Sequence, residues 1–218
     1  MHINNPLKER LVLASKSPRR AEILRAVGWE FEAIAADVDE TRYDSEDAVS
    51  YVKRLAQTKA ETVAGKLRGG LVLGADTVVV IGEEILGQPR DDKEAHRMLS
   101  LLSGRWHAVL TGVALVRSGQ TLDALVEHET TRVRFSEMSI DEIDWYVSTG
   151  EPKGKAGAYG IQGKGALFIE EIQGDYFNVV GLPVRLAVEL CHLMNKKRAG
   201  ARRGPQRGGP AGVLIPPS

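Results

Sequence analysis

One cysteine, Cys191, is the only thiol in 218 residues, so no internal disulfide framework exists. That scarcity fits a reducing compartment, and a cytoplasmic location is the expectation. No apolar run nears the ~20 residues of a membrane helix, so no membrane partner is expected. Residues 1–10 lack the apolar stretch of a secretory signal. Net charge is also missing: 29 Lys and Arg balance 29 Asp and Glu. The balance hides an asymmetry. Six of the basic residues lie in 196–218, which holds no acid, leaving residues 1–195 with 23 bases against 29 acids. An acidic body does not coat nucleic acid, so nucleic acid is an expected partner of the basic tail alone.

Several catalytic signatures are absent as well. No Gly-x-x-x-x-Gly-Lys-Ser/Thr and no Gly-x-Gly-x-x-Gly follows a strand, which removes P-loop and dinucleotide-binding readings. No Gly-x-Ser-x-Gly elbow is present. No second His or Cys stands at zinc-ligand spacing.

What remains is an ordinary globular composition, 43% hydrophobic and 27% charged, enough for a core without staples. Leu11–Ala14 is a short buried strand. Ser17 then caps a helix running to Val27, with Pro18 at its first position and Gly28 beyond its end. A second strand is expected over Phe31–Ala36. Residues 45–66 form a long amphipathic helix, broken by Gly69-Gly70. Leu71–Ile81 is a central strand region interrupted by the polar pair Asp76-Thr77. A helix over Asp91–Leu102, capped by Asp91 or Asp92, precedes two long strands, His107–Val116 and Ala124–Phe135. Ser139 and Glu142 form a capping box for a helix ending at Ser148. A Gly- and Lys-rich loop fills 150–165, followed by a strand over Ala166–Ile172 and a helix over Leu182–Leu193. The alternation makes the class α/β with a mixed, twisted sheet flanked by helices. Residues 1–195 are one folded domain, and 196–218 are a disordered tail rich in Pro, Gly and Arg.

Candidate chemistry gathers at a few points. Ser15, Lys16, Ser17, Arg19 and Arg20 surround a helix N-terminus directly after a buried strand, where backbone N–H groups and the helix dipole suit phosphate. The plainer alternative is a capped helix with solvated arginines. Asp76 is either a general base or metal ligand on a rigid strand, or a surface turn between two strands. Glu40 is either a second metal-binding carboxylate or part of an acidic loop. Lys59 lies on the polar side of the long helix, solvated or facing phosphate. His107 and Cys191 are structural. In Lys155–Gly163 the glycines permit close approach of a ligand, and the Gln162 amide both donates and accepts.

Taken in order, Ser15-Lys16-Ser17-Pro18-Arg19-Arg20, Gly74-Ala75-Asp76-Thr77, Ser103-Gly104-Arg105-Trp106-His107, Lys155–Gly163 and Val179-Val180-Gly181-Leu182-Pro183 resemble the Maf family of nucleoside triphosphate pyrophosphatases over residues 10–194. The resemblance implies a Maf/ITPase-like fold of two lobes around a nucleotide cleft, often dimeric, so that a homodimer is expected. It implies hydrolysis of a nucleoside triphosphate to the monophosphate and pyrophosphate, with a divalent cation, Mg2+ or Mn2+. By the same resemblance Asp76 is the proton acceptor and Glu40 shares the metal site with it. Arg19, Arg20 and Lys59 contact phosphate, with Ser15 and Lys155 counted among the substrate-binding residues. Arg19, Thr77 and Gln162 stand at marker positions of the subfamily preferring dTTP and UTP. Such enzymes remove non-standard nucleotides or influence division.

One position departs from the pattern. Gly87-Gln88-Pro89 stands where the family commonly has Gly-Lys-Pro. Losing one charge-assisted contact costs ~1.5–3 kcal/mol unless Lys93 or Lys164 compensates. The departure keeps a second reading in view, a catalytically weakened regulator that binds nucleotide or nucleic acid. A third makes the tail a nucleic-acid tether.

Overall fold

The computed structural model of the chain describes residues 9–119 and 123–202, the last four by backbone alone. The expected disorder of the tail beyond 202 lies outside the described residues. Seven strands form one mixed sheet in the order β2-β1-β3-β5-β6-β7, with β4 on part of β3. These are β1 (Leu11–Leu13), β2 (Glu32–Ala33), β3 (Gly70–Ile81), β4 (Glu84–Leu86), β5 (Trp106–Ser118), β6 (Asp123–Phe135) and β7 (Ile169–Gln173). The helices are α1 (Pro18–Ala26), α2 (Ala48–Ala64), α3 (Asp92–Leu102), α4 (Ile140–Ser148), α5 (Tyr176–Val180) and α6 (Val184–Arg202). The boundary drawn after residue 195 on composition therefore falls inside α6.

The caps are those expected. Ser17 accepts from the backbone N–H of Arg20, Asp91 caps α3, and Ser139 with Glu142 completes a capping box on α4. Several elements differ. The strand expected over Ala166–Ile172 starts at Ile169, after a short 3-10 turn over Lys164–Phe168, and the last helix starts at Val184 and runs past Leu193 to Arg202. β3 runs unbroken through Asp76-Thr77, because β5 pairs with it from Gly70 to Val80 and supplies every ladder bond across the polar pair. β2 keeps two residues of the expected six, paired only to the short β1. β4 and α5 were not anticipated. Both are too short to show a period, and each is held by tertiary contact.

The long strands β3 and β5 contribute to four buried clusters, two of them large. The first packs β1, α1 and α6 on the sheet around Leu13, Leu24, Leu73, Leu182 and Cys191. The second lies under α3 and α4 around Leu99, Phe135 and Tyr146. The opposite face of the first half carries α2 at very close range. A Cβ on Gly74 would stand 2.2 Å from the Ala56 carbonyl oxygen, and one on Gly112 2.2 Å from that of Val52. Among the described residues no helix is long and apolar enough to cross a membrane.

Candidate active site

One edge of β3 is shared. β1 pairs with Leu71–Leu73 and β4 with Val79–Ile81, so 74–78 face no strand on that side. A cleft of about 800 Å³ opens at this gap, bounded by the end of β1, the start of α1, residues 36–40 and the segment 151–163. It sits where ligands of α/β sheets commonly sit, beyond a strand's carboxyl end.

Successive side chains of β3 alternate between faces, which splits the polar pair. Asp76 points to the α2 side and is 9% exposed. Lys59 of α2 meets it, with Nζ 2.6 Å from Asp76 Oδ1 and 2.6 Å from Glu40 Oε1. Lys59 is thus buried between two carboxylates, which removes its solvated alternative. Burial pushes the Asp76 carboxyl above its ordinary value, with Lys59 and Arg20 pulling it back. The strand on both sides of Asp76 removes the surface-turn alternative.

Glu40 is placed by α2. The Tyr51 hydroxyl donates to the Glu40 carbonyl at 2.8 Å. Arg54 donates to the Thr41 carbonyl, forms a bidentate pair with Glu46 and stacks 3.9 Å over the Tyr43 ring.

Thr77 points to the other face, into a polar cluster. Arg20 is buried there and donates to the Gly181 carbonyl at 2.8 Å, to Ser15 Oγ at 3.2 Å and to Thr77 Oγ1 at 3.0 Å. Burial lowers its pKa, yet a guanidinium keeps its proton. Ser15 Oγ also accepts from the Ser17 N–H at 3.1 Å, so these two sequence-selected residues build the turn that aims the α1 N-terminus at the cleft. Arg19 lines the cleft and reaches the Gly154 carbonyl at 3.2 Å.

The wall opposite is the segment 151–165, organised by Glu151, which sequence reasoning missed. Its carboxylate accepts from the Tyr146 hydroxyl at 2.8 Å and the backbone N–H groups of Lys164 and Gly165 at 2.9 and 3.0 Å. Lys155 Nζ donates to the Glu151 carbonyl, and burial beside Arg19 lowers the Lys155 pKa. A Cβ on Gly163 would stand 2.5 Å from the Glu151 carboxylate. The glycines therefore let the loop close on Glu151 while Gln162 faces the cleft, exposed. A lone Glu beside a Pro carries no pattern, so nothing in the sequence marked it.

Every sequence-selected residue (Ser15, Arg19, Arg20, Glu40, Lys59, Asp76, Thr77, Lys155 and Gln162) lines this one cleft. Gln88 lines it too, whereas Lys93 and Lys164 do not, so neither replaces the missing cation there. Val79, Val109 and Tyr159 supply an apolar floor. Among the described residues no group of three or more His, Cys, Asp or Glu is placed to hold a metal alone.

A family model described as Maf-like protein matches residues 10–194. A dTTP/UTP pyrophosphatase of Symbiobacterium thermophilum is 52% identical over 182 residues, covering 84% of this chain and 92% of that one. A dTTP/UTP pyrophosphatase of Dictyoglomus thermophilum is 44% identical over 191 residues, covering 87% and 97%. One of Myxococcus xanthus is 51% identical over 180 residues, covering 83% and 90%.

Proposed function

This chain belongs to the Maf family, and on that premise we propose that it hydrolyses nucleoside triphosphates, dTTP and UTP foremost, to the monophosphate and pyrophosphate. The observation that carries the reading is the pair Glu40 and Asp76, both held on Lys59 in a cleft also lined by Lys16, Arg19 and Lys155.

The chemistry follows from the placement. A water beside Asp76 attacks the α-phosphorus, and Asp76 takes its proton. The bond from the α-phosphorus to the oxygen bridging the β-phosphorus breaks, and that oxygen leaves with pyrophosphate. Burial makes Asp76 a better proton acceptor, and Lys59 fixes its orientation. Lys16, Arg19, Lys155 and the α1 N-terminus face the triphosphate, where little covalent work is needed and charge stabilisation dominates. Arg20 acts at one remove, holding Ser15 and Thr77.

The donor set fits a divalent cation of the hard, oxygen-seeking kind. Two carboxylates already converge on one cationic group, and Mg2+ or Mn2+ commonly takes one or two carboxylates plus substrate phosphates and water. Glu40 and Asp76 would hold it, and when bound it supplies charge neutralisation at the phosphates.

The test is pyrophosphate release from UTP, dTTP, CTP, GTP and 7-methyl-GTP with Mg2+ or Mn2+. UMP or dTMP with pyrophosphate is expected, and Asp76→Asn is expected to lower kcat about 10²–10⁴-fold. Activity confined to another base would sink the pyrimidine assignment. Gln88, a neutral amide in the cleft, favours a regulator that binds without turnover. Nucleotide binding with no pyrophosphate from any substrate would establish that alternative.

A further inference from the structure

Thr77 stands inside a chain of hydrogen bonds whose outer members, Arg20 and the Asn178 carbonyl, have fixed roles. Arg20 Nη2 lies 3.0 Å from Thr77 Oγ1 and can only donate. Thr77 Oγ1 lies 2.9 Å from Thr111 Oγ1, its cross-strand partner on β5. Thr111 Oγ1 lies 3.2 Å from the Asn178 backbone oxygen, which can only accept. Thr111 and Asn178 are both wholly buried, so water cannot replace these bonds. Only one direction of the two hydroxyls satisfies every group. Arg20 donates to Thr77, Thr77 donates to Thr111, and Thr111 donates to Asn178. The reverse would leave a buried carbonyl without a donor.

Thr77 therefore has its hydrogen turned into the protein. It keeps one free lone pair, and of the two hydroxyls it is the one that lines the cleft, beside Arg20. We infer that Thr111 is a specificity-determining positioning residue: by holding the Thr77 hydrogen it makes Thr77 an obligate acceptor, matched to the imide N3–H of uracil or thymine. This rests on the pyrimidine triphosphate reading above. A 2′-hydroxyl is present in UTP and missing from dTTP, so it cannot be the shared donor. The ribose 3′-hydroxyl is common to all the nucleotides and distinguishes none. Cytosine offers a lone pair at N3 and meets the Thr77 lone pair unfavourably.

The experiment measures kcat and KM by pyrophosphate release for UTP, CTP and 3-methyl-UTP, with the wild-type chain, Thr111→Val and Thr111→Ser. The wild type is expected to favour UTP over both others by about tenfold or more, the size of a hydrogen bond lost in a buried site. Thr111→Val frees the Thr77 hydroxyl to rotate, and the UTP-to-CTP ratio of kcat/KM is expected to fall about tenfold, chiefly through KM. Thr111→Ser restores the acceptor and keeps the ratio within about twofold. A role in stability alone would move all three substrates together and leave the ratio where it was, which overturns the inference. So does a wild-type chain that cleaves 3-methyl-UTP as readily as UTP, a result that needs no variant to fold. Failure of the parent reading looks different: the wild type then releases no pyrophosphate from UTP or dTTP.

Discussion

His107 carries no charge in the folded protein at neutral pH. It is 4% exposed, its Nε2 lies 2.8 Å from the Tyr159 hydroxyl, and its ring meets Phe135 and Tyr159 edge-on. Burial drives its pKa down to about 4, against a smaller opposing pull from the Arg105 backbone. The unfolded chain titrates this group near ~6.5, so between the two values the unfolded state binds more protons. Stability is therefore full above ~6.5 and is lost as pH falls towards about 4. Between pH 7.5 and pH 5 the expected loss from this residue is about 2 kcal/mol. Urea unfolding at both pH values, wild type against His107→Gln, checks it. A variant that loses as much as the wild type over that interval would show that another group carries the dependence. Tyr159 also lines the cleft, so the same proton threatens the pocket floor.

At the scale of elements, glycine sets how closely α2 approaches the sheet, and with it where Lys59 reaches Asp76. The atoms a Cβ on Gly112 would meet are the Val52 carbonyl and the Lys53 nitrogen, backbone that cannot swing aside. Gly112→Ala is expected to cost about 3 kcal/mol or more, with activity falling as α2 shifts. Gly87→Ala meets nothing within 4 Å and should change stability by no more than ~0.5 kcal/mol. Denaturant midpoints for the pair separate crowding from a general intolerance of alanine. Elements with a local signal were legible in the sequence: caps at Ser17, Asp91 and Ser139, and the apolar period of α2. What local pattern could not supply was the neighbour across space. The helix pattern leaves Lys59 either solvated or facing phosphate, because a helix wheel does not show the strand carrying Asp76. Thr111 gains its importance from Thr77 across the sheet, and Glu151 from N–H groups thirteen and fourteen residues on. The cleft residues were legible as a set because the family motifs named them together, while the split of Asp76 and Thr77 onto opposite faces needed the unbroken β3.

On the scale of the molecule, the substrate would tie together three separate parts of the chain that line one cleft: the α1 N-terminus, the loop carrying Glu40 and the segment presenting Gln162. Binding to the folded state alone then raises its stability by mass action. A non-hydrolysable α,β-methylene UTP with Mg2+ at ~100 times its Kd should add about 2.7 kcal/mol. For a chain of this size that is roughly 5–10 °C in Tm. The tail beyond 202 lies past the family match, which ends at residue 194, and α6 is pinned to the body before it, with Lys197 on Asp123 at 3.0 Å and Arg198 on Glu9. Removing residues 203–218 should therefore leave both the ligand-induced shift and kcat/KM for UTP unchanged. A cut after Asn195 should lower Tm even without ligand, because it removes those ion pairs and the end of the helix. If the shorter deletion alone abolished the shift, the tail would be part of the nucleotide site. If it only weakened a salt-sensitive affinity for single-stranded nucleic acid, the tail would be a tether acting apart from catalysis.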